Sequence, residues 1–288
     1  MAAALALAPA AGASQLVDRD AREVELQVDR EGRALVSYTK DGRRRHVLAW
    51  GAINALPPSR ARRQVEFELD YSGGWGAFGK PLWKAFADIC GPYEGPPLPW
   101  LVTACTAPDG THWALQTWQR ALPNYGLQPT GAQDAWELRL SHFDGEPARF
   151  TVRVNWAYRR FDHLFGSLTY RGVPVHGFRA TPSGVPLDSY GRNVYLDTFD
   201  SAYGPGWKRE NSFLLHRGSG VFCYGLYRHG DRPSGAGKRY RATVIGPGVT
   251  PDVRWQGAAP GPYDAERDRE LAAAQRELYG ADQACKPV

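Results

Sequence analysis

The stretch EVELQVDREGRALVSYTKDGRRRHVLAWGAINA, residues 23–55, alternates polar and apolar side chains. Alternation with a period of two is typical of β-strands that have one buried face. The alternating runs break at Glu31-Gly32 and again at Asp41-Gly42. An Asp-Gly pair between two such runs is the strongest short signal for a β-hairpin. This stretch therefore predicts antiparallel strands joined by tight turns.

The same pattern recurs along the chain, with hairpins predicted at Asp109-Gly110, Asp144-Gly145 and Arg171-Gly172. The composition also favours strands and turns, with 12% aromatic residues, 32 glycines and 22 prolines. We predict an all-β fold, an antiparallel β-sandwich of jelly-roll or lectin-like type. Because residues 119–135 lack periodicity, two smaller β domains divided near residue 128 are the alternative.

Two segments change from a strand period to a helical one. Leu82, Phe86 and Ile89 are spaced i, i+4, i+7, which predicts a short amphipathic helix near residues 81–90. A second helix is predicted near residues 264–279, ended by a glycine. The apolar stripe predicted for this second helix consists of Leu271, Ala274 and Leu278.

The N-terminus predicts export from the cytoplasm. The apolar run MAAALALAPAAGA, residues 1–13, ends in the small-x-small pattern of a signal-peptidase site but lacks a positively charged start. We predict a signal peptide over residues 1–13, a domain over residues 14–288 and a secreted or extracytoplasmic protein. An Ala-rich tail that is not removed is the alternative. No other run approaches the ~18 apolar residues that cross a membrane, so we predict no membrane span.

The four cysteines also favour an oxidising compartment. They are even in number, and none lies in a C-x-x-C pair, which disfavours zinc and redox motifs. Pairing nearest neighbours predicts the disulfides Cys90–Cys105 and Cys223–Cys285, the second of which would tie the tail, residues 281–288, to the sheet. Closing a loop of about fifteen residues stabilises by ~3 kcal/mol in the chain-entropy model. Four reduced thiols are the alternative.

The formal net charge is +5, and only six of the 35 basic residues are lysine. Arginine suits phosphate groups. The joint abundance of Ala, Gly, Pro and Arg is, however, also what a GC-rich genome produces. We therefore predict no nucleic-acid partner.

Metal, phosphate and serine-hydrolase motifs are absent or incomplete. The seven histidines show no i, i+2 or i, i+4 pair, so we predict no metal and no cofactor. The glycine-rich loop HGDRPSGAGKRY, residues 229–240, has Arg239 where a phosphate loop needs Ser or Thr. Ser189 lacks the first glycine of a nucleophile elbow, because Leu187 stands there.

The densest mixture of aromatic and polar residues is YLDTFDSAYGPGWKRENSFLLH, residues 195–216. We predict that residues 188–211 form the ligand-facing surface. Flat aromatic faces and planar polar side chains suit sugars, so we predict a module that binds glycan or cell-envelope polysaccharide. The predicted binding residues are Asp188, Tyr190, Arg192, Asn193, Tyr195, Tyr203, Trp207 and Asn211.

A glycoside hydrolase or lyase is the enzyme alternative, with Asp197, Asp200 and Glu210 as candidate acids. Such an enzyme needs two carboxylates ~5–9.5 Å apart. Since residues three apart in a strand point to opposite faces, Asp197 and Asp200 converge only if the chain bends between them. A structural or protein-interaction domain is the remaining alternative, in which these aspartates cap turns and the aromatic rings belong to the core.

Overall fold

A computed structural model describes residues 14–57, 59–121, 134–176, 179–180, 186–210, 215–216, 219–227, 235–246 and 251–280. The predicted signal peptide (1–13), the boundary proposed near residue 128 and the tail (281–288) lie outside these residues. The described part of the chain is mostly strand, which confirms the predicted all-β class.

The first part of the chain contains nine strands among its described residues. They are β1 (Ser14–Arg19), β2 (Arg22–Val28), β3 (Ala34–Lys40), β4 (Arg43–Gly51), β5 (Phe67–Asp70), β6 (Gly91–Pro92), β7 (Leu101–Thr106), β8 (His112–Ala121) and β9 (Asp134–Phe143). Between β5 and β6 lie a one-turn helix, α1 (Trp75–Phe78), and a 3₁₀ turn (Leu82–Ala85).

The second part of the chain contains shorter strands and the longest described helix. The strands are β10 (Arg149–Ala157), β11 (Phe161–Tyr170), β12 (Val173–Pro174), β13 (Arg179–Ala180), β14 (Pro186–Leu187), β15 (Asn193–Ser201), β16 (Gly204–Arg209), β17 (Leu215–His216), β18 (Val221–Gly225), β19 (Arg239–Ile245) and β20 (Val253–Ala258). The helix is α2 (Ala265–Tyr279).

The described strands pair into four antiparallel sheets. Sheet I has the order β2-β3-β4-β5, sheet II β1-β9-β8-β7-β6, sheet III β13-β14-β15-β19-β20 with β16 beside β15, and sheet IV β10-β11-β18-β17 with β12 beside β11. Sheets I and II enclose one hydrophobic core, and sheets III and IV enclose another. The chain passes from the first core to the second through residues 144–148.

Sheets II and III meet along the faces that point away from their cores. Side chains alternate along β8, so Trp113 and Leu115 face the first core while Gln116 and Trp118 face sheet III. Trp118 packs there against Tyr195 of β15 and Ile245 of β19. We call this layer between sheets II and III the seam.

Three of the hairpins predicted at Asp-Gly and Arg-Gly pairs form, and one does not. The hairpin at Asp109-Gly110 joins β7 to β8, with Thr106 paired to His112. Asp41 and Gly42 have φ of 51° and 70°, and Arg171 and Gly172 have φ of 51° and 74°, as a two-residue hairpin with positive φ at both positions requires. The prediction at Asp144-Gly145 is wrong, because β9 pairs with β8 in sheet II whereas β10 pairs with β11 in sheet IV. Asn54 holds Asp144 through two hydrogen bonds. Asn54 Nδ2 donates to the Asp144 carbonyl (2.7 Å), and the Asp144 backbone N–H donates to Asn54 Oδ1 (3.1 Å).

The helix predicted near residues 81–90 is shorter in the structure, where only the 3₁₀ turn at Leu82–Ala85 is helical. Residues after it hydrogen-bond to the end of β2 and do not continue the helix. Ile89 donates its backbone N–H to the carbonyl of Val28 (2.8 Å), and Val28 donates to Asp88 Oδ1 (3.0 Å). Pairing with a strand edge therefore replaces the last helical turns.

The C-terminal helix is confirmed, with Asp264 as its N-cap and Gly280 at its end. The Asp264 carboxylate accepts the N–H groups of Glu266 (3.0 Å) and Arg267 (2.9 Å). The buried residues of the helix are Gln275 and Tyr279, beside a partly buried Leu278. The predicted stripe was therefore incomplete, because it omitted Gln275. This side chain is buried and accepts a hydrogen bond from Asn155 Nδ2 (2.9 Å).

The disulfide Cys90–Cys105 is present, with the two Cα atoms 5.7 Å apart. It ties the segment after the 3₁₀ turn to β7 of sheet II. Cys223 carries no reduced thiol. Its predicted partner, Cys285, lies outside the described residues, so that pairing stays a prediction.

Candidate functional site

The predicted region 188–211 lies on sheet III as far as residue 210; Asn211 lies outside the described residues. Asp188 and Arg192 are both buried, and Arg192 Nε donates to Asp188 Oδ2 (2.6 Å). Asp188 Oδ1 also accepts the backbone N–H groups of Tyr190 (2.8 Å) and Arg192 (3.0 Å). This carboxylate holds the turn between β14 and β15. Asn193 begins β15, paired with Leu187 and with β19.

Asp197 points into the seam and is fully buried. Its two carboxylate oxygens accept from Arg209 Nε (2.6 Å) and from Arg241 Nε and Nη2 (3.1 and 3.0 Å). Burial by itself raises the pKa of this carboxyl, but the two guanidinium groups outweigh burial and hold the pKa below its ordinary value. Asp197 is therefore an ionised structural anchor without access to solvent.

The other two candidate acids point elsewhere. Asp200 accepts the backbone N–H of Gly206 (2.9 Å) and Lys238 Nζ (3.1 Å) at the turn between β15 and β16. Glu210 is buried and accepts the Tyr203 hydroxyl (2.8 Å). It follows Arg209, which faces Asp197 across the strand pair, so Glu210 lies toward the opposite face. The three acids thus do not share one cleft.

Aromatic residues of the predicted region are covered by arginines of the same sheet. The Arg209 guanidinium lies 3.9 Å from the ring centroid of Tyr195, and that of Arg241 lies 4.5 Å from Trp207. Trp207 also contacts Phe199, at 5.2 Å between centroids. Tyr190 packs edge-on to Tyr170 at 5.9 Å. These rings already have partners within the fold.

A more exposed set of rings lies between β5 and β6 and was not among the predicted site residues. Trp75, Phe78 and Trp83 are 63%, 40% and 38% exposed. We call these three residues the aromatic platform. The signal for it in the sequence is the run YSGGWGAFGKPLWKAF, residues 71–86, which combines four glycines with five aromatic residues.

The aromatic platform rests on the outer face of sheet I. The Trp83 ring stacks on His46 at 4.4 Å with an interplanar angle of 5°, and Phe78 packs edge-on against Trp50 at 5.3 Å. His46 and Trp50 are four residues apart on the same face of β4, a separation of about 13 Å. The platform is therefore long enough to contact more than one ring of an extended polymeric ligand.

The loop that carries the platform is held by Asp70. Its carboxylate accepts the backbone N–H groups of Ser72 (2.8 Å), Gly74 (3.1 Å) and Ala77 (2.9 Å). Burial raises the pKa of Asp70, but these hydrogen bonds and that of the Ser72 hydroxyl outweigh it and lower the pKa overall. These hydrogen bonds fix the backbone of the loop that carries Trp75 and Phe78.

Gly73 brings Trp83 close to the loop backbone. Gly73 has a φ of +65°, and a Cβ atom there would lie 2.6 Å from Trp83 Cδ1. Cationic side chains border the platform, with Arg33 5.2 Å from the Phe78 centroid and Lys84 5.4 Å from the Trp83 centroid. The surface thus combines flat apolar faces with hydrogen-bond donors.

A concave pocket of about 750 Å³ lies between α2 and the outer face of sheet IV. Its lining residues are Phe150, Thr151, Val152, Arg153, Phe165, Gly166, Trp255, Ala274, Glu277 and Leu278. None of the predicted site residues lines it.

Within the described residues, no group of three or more His, Cys, Asp or Glu side chains is arranged to hold a metal ion. None of the described helices has the length and apolar character needed to span a membrane. No family model matches the chain, and neither the curated proteins nor the solved structures contain a significant match.

Proposed function

We propose that this protein binds glycan, and that the aromatic platform is the surface that binds it. The observation that carries this proposal is the exposure of Trp75, Phe78 and Trp83 on a loop that Asp70 holds in place. Sugar rings have an apolar C–H face and a rim of hydroxyl groups. An exposed aromatic ring stacks on the apolar face, and Lys84 is placed to donate to the hydroxyl groups.

This proposal keeps the predicted class of ligand and moves the site away from residues 188–211. Arginines cover two aromatic rings of that region, and Asp188 and Asp197 neutralise buried arginines. A hydrolase or lyase using Asp197, Asp200 and Glu210 is the less supported alternative, because Asp197 is buried and Glu210 lies toward the opposite face of the strand pair.

We further propose that the protein is exported, which the Cys90–Cys105 disulfide supports, since disulfides persist in oxidising compartments. Mass spectrometry of protein from its own host tests this. A mature N-terminus near Ser14 is expected, and retention of residues 1–13 would contradict export.

The glycan proposal is tested with Trp83→Ala and Trp75→Ala in affinity electrophoresis against a panel of polysaccharides. Losing one stacked ring removes about 1–2 kcal/mol of binding, so retardation by a bound polysaccharide should weaken roughly 5–30-fold. Trp136→Ala is the matched control, because Trp136 is 49% exposed on β9 and lies outside the platform.

Three outcomes contradict the glycan proposal. The wild type is retarded by none of the polysaccharides, the control variant weakens binding as much as the platform variants do, or single-stranded oligonucleotide binds in place of polysaccharide. The last outcome would identify the platform as a base-stacking surface with a cationic border. A hydrolysis screen on the same polysaccharides tests the enzyme alternative.

A further inference from the structure

Strand β10 is an edge strand of sheet IV, and β11 is its one neighbour among the described strands. In an antiparallel pair, the backbone groups of alternate residues point to opposite sides of the strand. Asp162 of β11 accepts the N–H of Leu226 (2.8 Å), and Leu168 donates to the carbonyl of Gly220 (3.0 Å). Because Gly220 and Leu226 flank β18, the even-numbered residues of β11 face β18 and the odd-numbered ones face β10.

The register between β10 and β11 then shows which backbone groups of β10 are free. Thr151 lies opposite Ser167, so the odd-numbered residues of β10 bond to β11. Phe150 and Val152 point their backbone N–H and carbonyl groups to the other side. The described part of the chain supplies no backbone partner on that side for either residue. Their N–H and carbonyl groups therefore lie unpaired along an open edge of the sheet.

The concave pocket beside α2 extends along this edge. Residues 150–153 of β10 line it, a length of about 13 Å at about 3.3 Å per residue. Ala274 and Leu278 of α2 form one wall, and Trp255 of β20 forms the other. The volume of about 750 Å³ lies within the range of roughly 300–1,000 Å³ that ligand pockets occupy. We call the pocket together with the open edge of β10 the edge groove.

The two sides of the edge groove differ in chemistry. Val152 belongs to the second hydrophobic core and Trp255 packs against it, so the side toward β20 is apolar. On the side toward α2, Arg149 and Arg153 are exposed. Neither arginine forms an ion pair with a described carboxylate, although Glu277 of α2 also lines the pocket. Two cations and one carboxylate leave this side positively charged.

We propose that the edge groove binds an extended peptide segment of a partner protein, in which apolar and acidic side chains alternate. The peptide adds a strand to sheet IV by bonding to the free backbone groups of Phe150 and Val152, as peptides do at exposed sheet edges. Successive side chains of an extended chain point to opposite faces. The apolar side chains therefore contact Trp255, and the acidic ones lie beside Arg153.

Charge disfavours a second copy of this chain as the occupant of the edge groove. Two β10 edges that pair antiparallel about Thr151 would place Arg149 of one copy opposite Arg153 of the other. Like charges directly opposite each other destabilise a sheet, and cations on an edge strand protect it against self-pairing. The same two arginines attract the carboxylates of an acidic strand.

Fluorescence polarisation with three labelled peptides, VEVEVEV, VTVTVTV and VKVKVKV, tests the proposal. Wild type should bind VEVEVEV at one site and VKVKVKV about tenfold or more weakly, with VTVTVTV between them. Arg153→Glu should reverse this order. Arg22→Glu is the matched control and should keep the wild-type order, because Arg22 is exposed on β2, an edge strand of sheet I. Equal binding of the acidic and basic peptides by the wild type would overturn the proposal.

N-methylation of the peptide tests the backbone bonds without changing the protein. Two versions of VEVEVEV are compared, one methylated at the valine amides and the other at the glutamate amides. Alternate amides of a strand point to opposite sides, so one version loses its bonds to β10 while the other keeps them. We expect binding to weaken about tenfold or more in one version only. Equal binding of both versions would show that no strand is added to the sheet.

Filling the edge groove gives a further test on the protein itself. Ala274→Phe places a ring between α2 and β10 and should weaken binding of VEVEVEV about tenfold or more. Ala273→Phe is the matched control, because Ala273 is exposed on the same helix and does not line the pocket. Circular dichroism checks that both variants fold. Unchanged binding in a folded Ala274→Phe variant would place the peptide outside the groove and contradict the proposal.

Two other occupants of the edge groove are distinguished by the same measurements. A wild type that sediments as a dimer, becomes a monomer in Ala274→Phe and binds none of the peptides would assign the groove to a second copy. Peptide binding that is seen only after residues 281–288 are deleted would assign the groove to that segment of the chain. Either outcome overturns the proposal.

Discussion

Asp197 is a buried carboxylate that accepts hydrogen bonds from Arg209 on β16 and Arg241 on β19. Both guanidinium groups also stack on aromatic rings of sheet III, so the three charged groups and two rings form one layer of the seam. Removing the central charge leaves two cations unneutralised in the interior. Asp197 therefore offsets the free-energy cost of burying two arginine side chains.

We predict that Asp197→Asn lowers the free energy of unfolding by about 3–5 kcal/mol, because breaking a buried ion pair leaves an uncompensated charge. Urea unfolding followed by tryptophan fluorescence measures this change. Asp200→Asn is the control and should change stability little, since its partner Lys238 is an exposed cation. Similar small effects of both substitutions would show that the Asp197 layer contributes nothing particular to stability.

At the scale of single residues, the sequence shows which chemical groups a segment contains but not which groups surround them in the fold. In the run 195–216, Tyr195 looks like a ligand-binding residue and Asp197 like a catalytic acid, but Arg241, which binds Asp197, is 44 positions away in the chain. The spacing of residues along the chain does not show which pairs of opposite charges contact each other in the fold.

The elements follow the sequence where turn chemistry is local. Asp41-Gly42 and Arg171-Gly172 adopt the positive φ values of tight hairpins, and Asp264 and Gly280 bound the C-terminal helix. Asp144-Gly145 has the same signal but leads from sheet II to sheet IV, because side-chain bonds from Asn54 hold Asp144 elsewhere. Turn residues therefore specify a change of direction, and only tertiary contacts specify the strand that follows.

Helix α2 docks on sheet IV through a buried polar chain. Gln275 of the helix accepts from Asn155 Nδ2 (2.9 Å), and Asn155 Oδ1 lies 2.7 Å from His163 Nδ1 on β11. Tyr279 adds a hydrogen bond from its hydroxyl to the carbonyl of Phe222. Burial lowers the pKa of His163 to about 4, so the imidazole is neutral in the folded protein near neutral pH.

We predict that stability falls as the pH is lowered from about 6.5 to 4. In that window the unfolded chain binds a proton at His163 that the folded chain does not, so acid favours unfolding by up to about 3 kcal/mol. Urea unfolding at pH 7, 5.5 and 4.5 measures the slope. His163→Gln keeps a hydrogen-bond donor without titrating, so its slope should be flatter; an equal slope would assign the effect to other groups.

At the scale of the whole molecule, two hydrophobic cores are joined by a seam that is mostly polar. Gln116 of β8 donates to the carbonyl of Asp252 (3.4 Å), Arg139 of β9 contacts the Asp252 carboxylate, and Trp118 packs on Tyr195. Separating the sheets would break these contacts and expose the outward face of sheet II, including the fully buried Glu137. Neither of the two sheet faces that meet in the seam is therefore suited to contact with water.

We predict from this that the two cores unfold in a single transition. Leu115→Ala in the first core and Leu196→Ala in the second each remove a buried side chain and should each lower stability by about 2–5 kcal/mol. If the seam couples the cores, calorimetry should show one endotherm that both variants shift downward, while Val173→Ala, at an exposed position on β12, leaves it in place. Two endotherms, each shifted by only one of the leucine variants, would instead show that the seam is a contact between independently stable halves.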